Sequence, residues 1–286
     1  MKSIRLSRNA EIILFSAIVL LVFAALIYFV YTYLPVGVQG SDTLNIGVDW
    51  KGAFRPATRA MITGQNPYGK AAYNPPWTFI PLIPVAFLSP ELGSAVMFVL
   101  GLFMFAFAAY RFGAPLWLVI LFTLSQPVLG NSANGNLDWV VALGCTLPPQ
   151  FGLFLVLTKP QLGIGIAIFW LIEAWRKGKL REVLRVFAPV CIAFLLSFLL
   201  YGPYLLVPSM VDNTWNLSLW PIGVAIGLPL LVSAIRSRKS SLAISSSPFL
   251  APYISGHGWS IALFGLLQYP FECAAAILAL WIIKFI

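Results

Sequence analysis

Charged residues are scarce in this sequence. Of its 286 residues, 18 are Lys or Arg and nine are Asp or Glu, so only 9% carry a charge. A typical soluble domain is about a quarter charged. No stretch of about 50 residues is polar enough to fold by itself in water. The composition therefore excludes a separate soluble domain and predicts a single transmembrane domain over residues 1–286.

Cysteine and histidine are also rare. The three cysteines, Cys145, Cys191 and Cys273, lie inside apolar runs, where a thiol acts as a small packing residue. No cysteine pair suggests a disulfide, and His257 is the only histidine, which rules out a histidine cluster. The sequence also lacks a glycine-rich nucleotide-binding loop. We expect no metal site and no cofactor.

Apolar residues dominate instead, at 60% of the chain, with a mean hydropathy of +0.89. Runs of membrane-spanning length recur along the chain, which predicts an all-α polytopic membrane protein with about 8–11 helices. Several predicted segments are short or interrupted by proline, and non-helical backbone at membrane depth is tolerated only inside protein or along a water-filled cavity. The breaks therefore predict a polar cavity. The predicted segments are 11–34, 76–89, 92–110, 114–130, 136–147, 150–175, 186–206, 216–235, 241–254 and 259–285.

The distribution of cations predicts the topology. Lys2, Arg5 and Arg8 precede the first apolar run, which is too long for a signal-peptide core and is read as a retained first span. Basic loops at 176–185 and 236–239 are expected on the same side as the N-terminus, the cytoplasmic side of a plasma or inner membrane. The net charge of +9 therefore indicates anionic lipid and not nucleic acid as the partner.

The loop over residues 35–75 runs against this bias, because it should be external and yet holds four cations, Lys51, Arg55, Arg59 and Lys70. Pro56 suits the first turn of a helix and Gly64 its end, which predicts a short helix lying in the membrane interface. Arg55 and Arg59 are four residues apart and share one face. They are expected to hold either the phosphate of a bound substrate or ordinary lipid headgroups.

Asp49 is the candidate catalytic residue. A carboxylate at a partly dehydrated surface is suited to accept a proton from a sugar hydroxyl. Trp50 beside it would either stack on a sugar ring or belong to the aromatic belt of the membrane interface. Asp42 is interpreted as a solvated loop residue.

Three polar residues farther along the chain are further candidates. Lys159 lies within an apolar run, where it is either functional or a lysine snorkelling to the interface. Asp138 is a candidate buried acid, and its pairing with Lys159 is left open. His257 falls between two glycines at an expected external turn, where it is either a ligand contact or a hydrogen-bonded structural residue.

The ordered set of polar motifs resembles the polyprenyl-phosphate-sugar-dependent glycosyltransferases of the GT-C superfamily, and in particular the bacterial α-mannosyltransferase-like family. The resemblance covers most of the chain in order, although Gly135-Asn136 stands where that family usually has Gly-Gln, and the chain is shorter than most members. The motifs are Asp49-Trp50, Gly64-Gln65-Asn66-Pro67-Tyr68, Tyr73-Asn74-Pro75-Pro76-Trp77, Thr158-Lys159-Pro160-Gln161, and Ser247-Pro248 through His257-Gly258-Trp259.

The resemblance implies a GT-C-like bundle in which Asp49 acts as general base in the inverting transfer of a mannose-like sugar. The donor would be a polyprenyl-phosphate sugar, and the acceptor a glycan or lipid on the outer membrane face. Cations would stabilise the leaving phosphate. The implied substrate-binding residues are Trp50, Arg55, Arg59, Tyr68, Asn74, Lys159 and His257. The alternative is a catalytically degenerate relative that serves as an accessory or scaffold subunit of a larger membrane complex.

Overall fold

The computed structural model describes residues 8–36, 45–68, 72–205 and 214–285, with the side chains of 8–12, 15, 284 and 285 left undescribed. Lys2, Arg5, Asp42 and Lys70 lie outside these ranges. Within them the regular secondary structure is entirely helical. The α-helices are α1 (Arg8–Tyr33), α2 (Arg55–Ile62), α3 (Ile83–Ala86), α4 (Pro90–Arg111), α5 (Leu116–Thr123), α6 (Gln126–Asn134), α7 (Asp138–Gly144), α8 (Pro149–Val156), α9 (Pro160–Tyr201), α10 (Val224–Ser237), α11 (Ser240–Leu250), α12 (Ser260–Leu266) and α13 (Pro270–Phe285).

Three of the described helices, α1, α4 and α9, are long and apolar enough to cross a membrane. The count rises to four if α5 and α6, which meet at an angle of 56°, form one broken span. Helix α9 has 42 residues, and a straight helix of that length would be about 63 Å long, twice the hydrocarbon thickness of a bilayer. Its backbone leaves the helical region at Gly178 and Lys179. The break falls inside the predicted basic loop at 176–185.

Two predicted spans are much shorter in the structure. The segment predicted at 76–89 consists of two 3-10 turns, Pro76–Thr78 and Ile80–Leu82, followed by the four-residue α3. Pro76, Pro81 and Pro84 explain the difference, because each removes a backbone donor and resists a helix interior. The segment predicted at 136–147 contains only α7, of seven residues. Neither is a membrane span by itself.

Small residues let helices α9, α11 and α12 pack closely. A Cβ added at Gly165 would lie 2.3 Å from the carbonyl oxygen of Ala243, and one at Gly265 would lie 2.2 Å from Oγ of Ser245. Ser247 Oγ accepts from the backbone N–H of Gly165 at 3.0 Å. Small residues and interhelical hydroxyl contacts of this kind hold membrane helices together. This packing fixes where the chain leaves α11, and so where His257 lies.

The loop predicted over residues 35–75 contains the predicted short helix, which is α2, and a π-helical turn, Trp50–Phe54, that leads directly into it. The start of this segment is docked on the turn between α6 and α7. The backbone N–H of Gly47 donates to the Ala133 carbonyl at 2.7 Å, and a Cβ at Gly135 would lie 2.8 Å from Cβ of Trp50. Gly135 also ends α6 in the left-handed region, at φ 65°. Glycine is therefore needed at position 135 both for the positive φ and for the close contact with Trp50.

Gly135→Ala should destabilise the protein more than Gly64→Ala does. Both glycines have positive φ, so alanine costs roughly 1–2 kcal/mol of backbone strain at either site. A Cβ meets nothing within 4 Å at Gly64, whereas at Gly135 it overlaps Trp50. The midpoint of thermal unfolding in lipid nanodiscs should fall clearly further for Gly135→Ala. Equal falls in the two variants would show that Trp50 is not packed on this turn.

Candidate functional site

Five polar residues from four breaks in the helical structure converge in one cluster, which we call the polar cluster. It comprises Asp49, Asn136, Asp138, Lys159 and His257. Each position follows from local chemistry. The aspartate at 138 occupies the first turn of α7, where a carboxylate interacts favourably with the helix dipole, and Lys159 is the residue before Pro160 opens α9. His257 lies in the 3-10 turn Gly256–Trp259 that precedes α12.

Asp138 is the buried centre of the polar cluster, with a side chain that is 0% exposed. Its Oδ1 pairs with Nζ of Lys159, and its Oδ2 accepts from Nδ1 of His257 at 2.6 Å. A buried carboxylate needs both a counter-charge and hydrogen bonds to remain ionised. Lys159 supplies the charge, and the two donors occupy both oxygens. Lys159 therefore pairs with Asp138, the pairing that the sequence left open.

Asn136 connects this buried pair to Asp49. Its Nδ2 donates to Oδ2 of Asp49 at 2.6 Å and lies 3.2 Å from Nε2 of His257. Its Oδ1 accepts from Nζ of Lys159 and from the backbone N–H of Leu137. Because Nδ1 of His257 donates to a carboxylate, a neutral ring leaves Nε2 free to accept from Asn136. The two donor hydrogens and two lone-pair directions of the amide are then all used.

Asp49 is the exposed member of the polar cluster. Its side chain is 35% exposed, whereas that of His257 is 8% exposed and that of Lys159 is 10% exposed. His257 Nε2 lies 3.8 Å from Oδ2 of Asp49. The hydroxyl of Tyr253 is within electrostatic range of Asp49 and Asp138. An accessible carboxylate backed by a buried, hydrogen-bonded network can take up a proton from a ligand hydroxyl.

The motif Tyr73-Asn74-Pro75-Pro76-Trp77 connects the loop over residues 35–75 to the break between α8 and α9. Nδ2 of Asn74 donates to the carbonyl of Thr158 at 2.9 Å, and Nε1 of Trp77 donates to the carbonyl of Phe154 at 2.8 Å. Tyr68 donates its hydroxyl to the Asn74 carbonyl at 2.8 Å, and burial raises the pKa of that hydroxyl, so it stays protonated. In this structure Asn74 is almost fully buried and connects its loop to Thr158, the residue before Lys159.

The three described cations of the loop over residues 35–75 make none of the polar cluster's hydrogen bonds. Lys51 donates to the carbonyl of Val36 and to Oδ1 of Asn45, and burial lowers its pKa, an effect that the charge of Glu91 opposes. Arg55 donates to the Leu88 carbonyl at 3.0 Å. The exposed Arg59 instead lines a cavity of about 510 Å³ beside α2, and none of the polar cluster's residues line that cavity.

Trp50 does not offer the stacking surface that its sequence position suggested. Its ring is 0% exposed and packs against Gly93 and Gly135, so neither a sugar ring nor a membrane interface can reach it in this structure. Trp50 begins the π-helical turn with its side chain buried, whereas the side chain of Asp49, the residue before it, is partly exposed. The indole therefore anchors the loop.

Sequence reasoning missed several contributors to the site. Asn136 was noted only as a departure from a family motif, although it joins the two halves of the polar cluster. Asn131 Nδ2 and Ser255 Oγ lie 3.4 and 3.3 Å from Nδ1 of His257. The sequence feature that indicates these residues is the density of amides and hydroxyls beside Gly135 and Gly256, where apolar spans are interrupted.

No protein-family model, curated protein or solved structure matches this chain. Within the described ranges, no group of three or more His, Cys, Asp or Glu residues is arranged to hold a metal ion. The chemistry that the site can perform is therefore inferred from the geometry of the polar cluster itself.

Lys159→Met should destabilise the protein by about 3–5 kcal/mol, because it leaves the charge of Asp138 buried without its cation. The double variant Lys159→Met/Asp138→Leu should lose less stability than Lys159→Met alone, since it removes both charges. As a control, Arg185→Met breaks the exposed pair with Glu182 and should cost far less stability than Lys159→Met, because exposed ion pairs contribute little. Thermal unfolding in nanodiscs measures all three. Additive losses in the double variant would contradict a coupled buried pair.

Proposed function

We propose that this protein is a membrane glycosyltransferase that moves a sugar from a polyprenyl-phosphate donor to an acceptor hydroxyl, with Asp49 as the general base. The observation that carries the proposal is the asymmetry of the polar cluster. One carboxylate is accessible, and the residues that hold it are buried and hydrogen-bonded to one another. This is the arrangement expected of a positioned base. A purely structural ion pair would not need an exposed carboxylate at its edge.

The proposed step is a single displacement. Asp49 accepts the proton of the acceptor hydroxyl while the acceptor oxygen bonds to the anomeric carbon of the sugar. The bond between that carbon and the phosphate oxygen breaks, and its electron pair leaves with polyprenyl phosphate. Attack from the face opposite the leaving group inverts the anomeric configuration. Asn136 holds Asp49 in place through the 2.6 Å hydrogen bond to Oδ2.

Arg59 is the residue best placed to meet a phosphate. It lines the cavity of about 510 Å³ together with the polar side chains of Thr63, Gln65, Asn66 and Tyr68. A guanidinium binds phosphate oxygens through charge-assisted hydrogen bonds, and amides suit sugar hydroxyls. Lys159 and His257, which were expected to face the substrate, instead pair with Asp138. We assign them to supporting Asp49, and assign the donor phosphate to Arg59.

A lipid-linked donor also fits the surroundings of the site. Helices α1, α4 and α9 are apolar and of membrane-spanning length, and exposed apolar side chains cover much of the bundle. Such a bundle can hold a polyprenyl chain in the lipid phase while the phosphate lies at the loop level. We place the protein in a cell membrane, with the external loop on the outer face.

Asp49→Asn should lower the rate of sugar transfer by about 10²–10⁴ while donor binding is largely kept, because the amide preserves shape but cannot accept the proton. The assay is transfer from a radiolabelled polyprenyl-phosphate sugar in reconstituted vesicles. Glu272→Gln, the same chemical change at an exposed position in the first turn of α13, is the control and should be fully active. A wild-type rate in Asp49→Asn would overturn the assignment of the base. No transfer by the wild type with any donor would favour an accessory subunit.

Arg59→Ala should instead weaken donor binding by about tenfold or more, with a smaller effect on the rate at saturating donor, because it removes one charge-assisted contact. Binding of a polyprenyl phosphate without sugar to the purified protein provides a second readout that is independent of transfer. Arg111→Ala, at the exposed end of α4, is the control for loss of a surface arginine. An unchanged donor affinity in Arg59→Ala would show that the donor phosphate does not bind in this cavity.

A further inference from the structure

A second charged cavity lies where the two basic turns of the bundle meet. The first turn is the break in α9 around Gly178, and the second follows α10. Nη1 of Arg176, from the first turn, donates to the carbonyl of Ile235 at 2.8 Å and so joins the two turns. The cavity between them has a volume of about 580 Å³. None of the polar cluster's residues line it.

The charges around this cavity are unbalanced. Four cations line it, Arg176, Lys177, Arg185 and Arg238, and two carboxylates, Glu173 and Glu182. The carboxylates are already engaged, since Glu173 binds Arg176 at 2.6 Å and Glu182 binds Arg185 at 2.5 Å and Lys177 at 3.4 Å. The lining therefore carries a net charge of +2, which matches a phosphate monoester above its second pKa of about 6.

The shape of the cavity adds two features to the charge. The N-terminal residues of α8, Pro149 and Gln150, line one wall, so the positive end of that helix dipole faces the cavity. Trp170, Ala174 and Val186 form an apolar part of the lining beneath the charged rim. A phosphate on an organic group would meet cations at the rim and apolar surface below.

Arg238 holds an unusual backbone position at this cavity. It ends α10 in the left-handed region, with φ 56° and ψ 34°, which non-glycine residues other than Asn and Asp seldom adopt. Of the four cations in the lining, Arg238 is the one that pairs with neither Glu173 nor Glu182, so its guanidinium can meet an anion without breaking either of those pairs.

We propose that this cavity binds a dianionic phosphate monoester, carried either by a lipid headgroup or by a soluble compound. The net charge of +2 on the lining equals the charge of a dianion and exceeds that of a monoanionic diester headgroup. The proposal is independent of the sugar-transfer function, because it uses none of the residues assigned to that reaction.

The test measures which lipid the purified protein retains. The protein is reconstituted into phosphatidylcholine nanodiscs that contain a minor fraction of phosphatidic acid or of phosphatidylglycerol, at pH 8, and bound lipid is counted by native mass spectrometry. Phosphatidic acid, a monoester, should be retained preferentially over phosphatidylglycerol, a monoanionic diester. Competition by inorganic phosphate distinguishes the two sources: displacement indicates that free phosphate suffices, and no displacement indicates a lipid headgroup.

Arg238→Asn should weaken this retention by about tenfold, since one charge-assisted contact is lost while asparagine tolerates the left-handed backbone. Arg236→Gln removes a cation from the same turn at a position outside the cavity lining and should change retention less than twofold. Arg185→Gln tests the α9 wall and should behave like Arg238→Asn. Equal retention of both lipids, equal losses in Arg236→Gln and Arg238→Asn, or no retention at all would overturn the proposal.

Discussion

The ionised side chain of Asp138 is the constraint around which the polar part of this bundle is organised. A carboxylate with no exposed surface is stable only when its charge is matched and both oxygens are bonded. Lys159 and His257 satisfy those two demands from different breaks in the helices. Asn136 then uses the remaining donors and acceptors around them and carries the network outward to Asp49. The side chains that pair with the buried Asp138 thus also fix Asn136, which positions the accessible carboxylate of Asp49.

Breaks between helices make this arrangement physically available. Helices α6, α7, α8 and α9 are separated by short turns that place polar backbone and side chains inside the bundle, where a continuous apolar helix would place only packing residues. Proline opens α8 and α9, and a left-handed glycine closes α6. From the loop that carries Asp49, Asn74 and Trp77 donate hydrogen bonds to carbonyls of the same region. The loop and the broken helices therefore stabilise each other.

The sequence predicted the helical class, the short helix that begins near Arg55, a loop at 176–185 where α9 is broken, and the convergence of Asp49, Lys159 and His257. Each of these depends on local chemistry: apolar length, proline and glycine positions, or a charge where charge is costly. The role of Asn136 could not be predicted in the same way, because it depends on three partners that are distant in the chain, Asp49, Lys159 and His257. The inward direction of Trp50 depends on a π-helical turn, which composition does not reveal. The polyprenyl-phosphate donor stays a prediction.

The chain order of the polar cluster has a consequence for biosynthesis. Asp49 emerges from the ribosome first, but its partners Asn136, Lys159 and His257 follow much later, so the loop that carries Asp49 is made before its docking surface exists. Asp138 and Lys159 are only some twenty residues apart, so they can pair soon after both are made and share the cost of burying their charges. His257 arrives last. The polar cluster is therefore complete only after the residues that follow α11 have been made, and a nascent chain interrupted before them would leave Asp138 without its histidine partner.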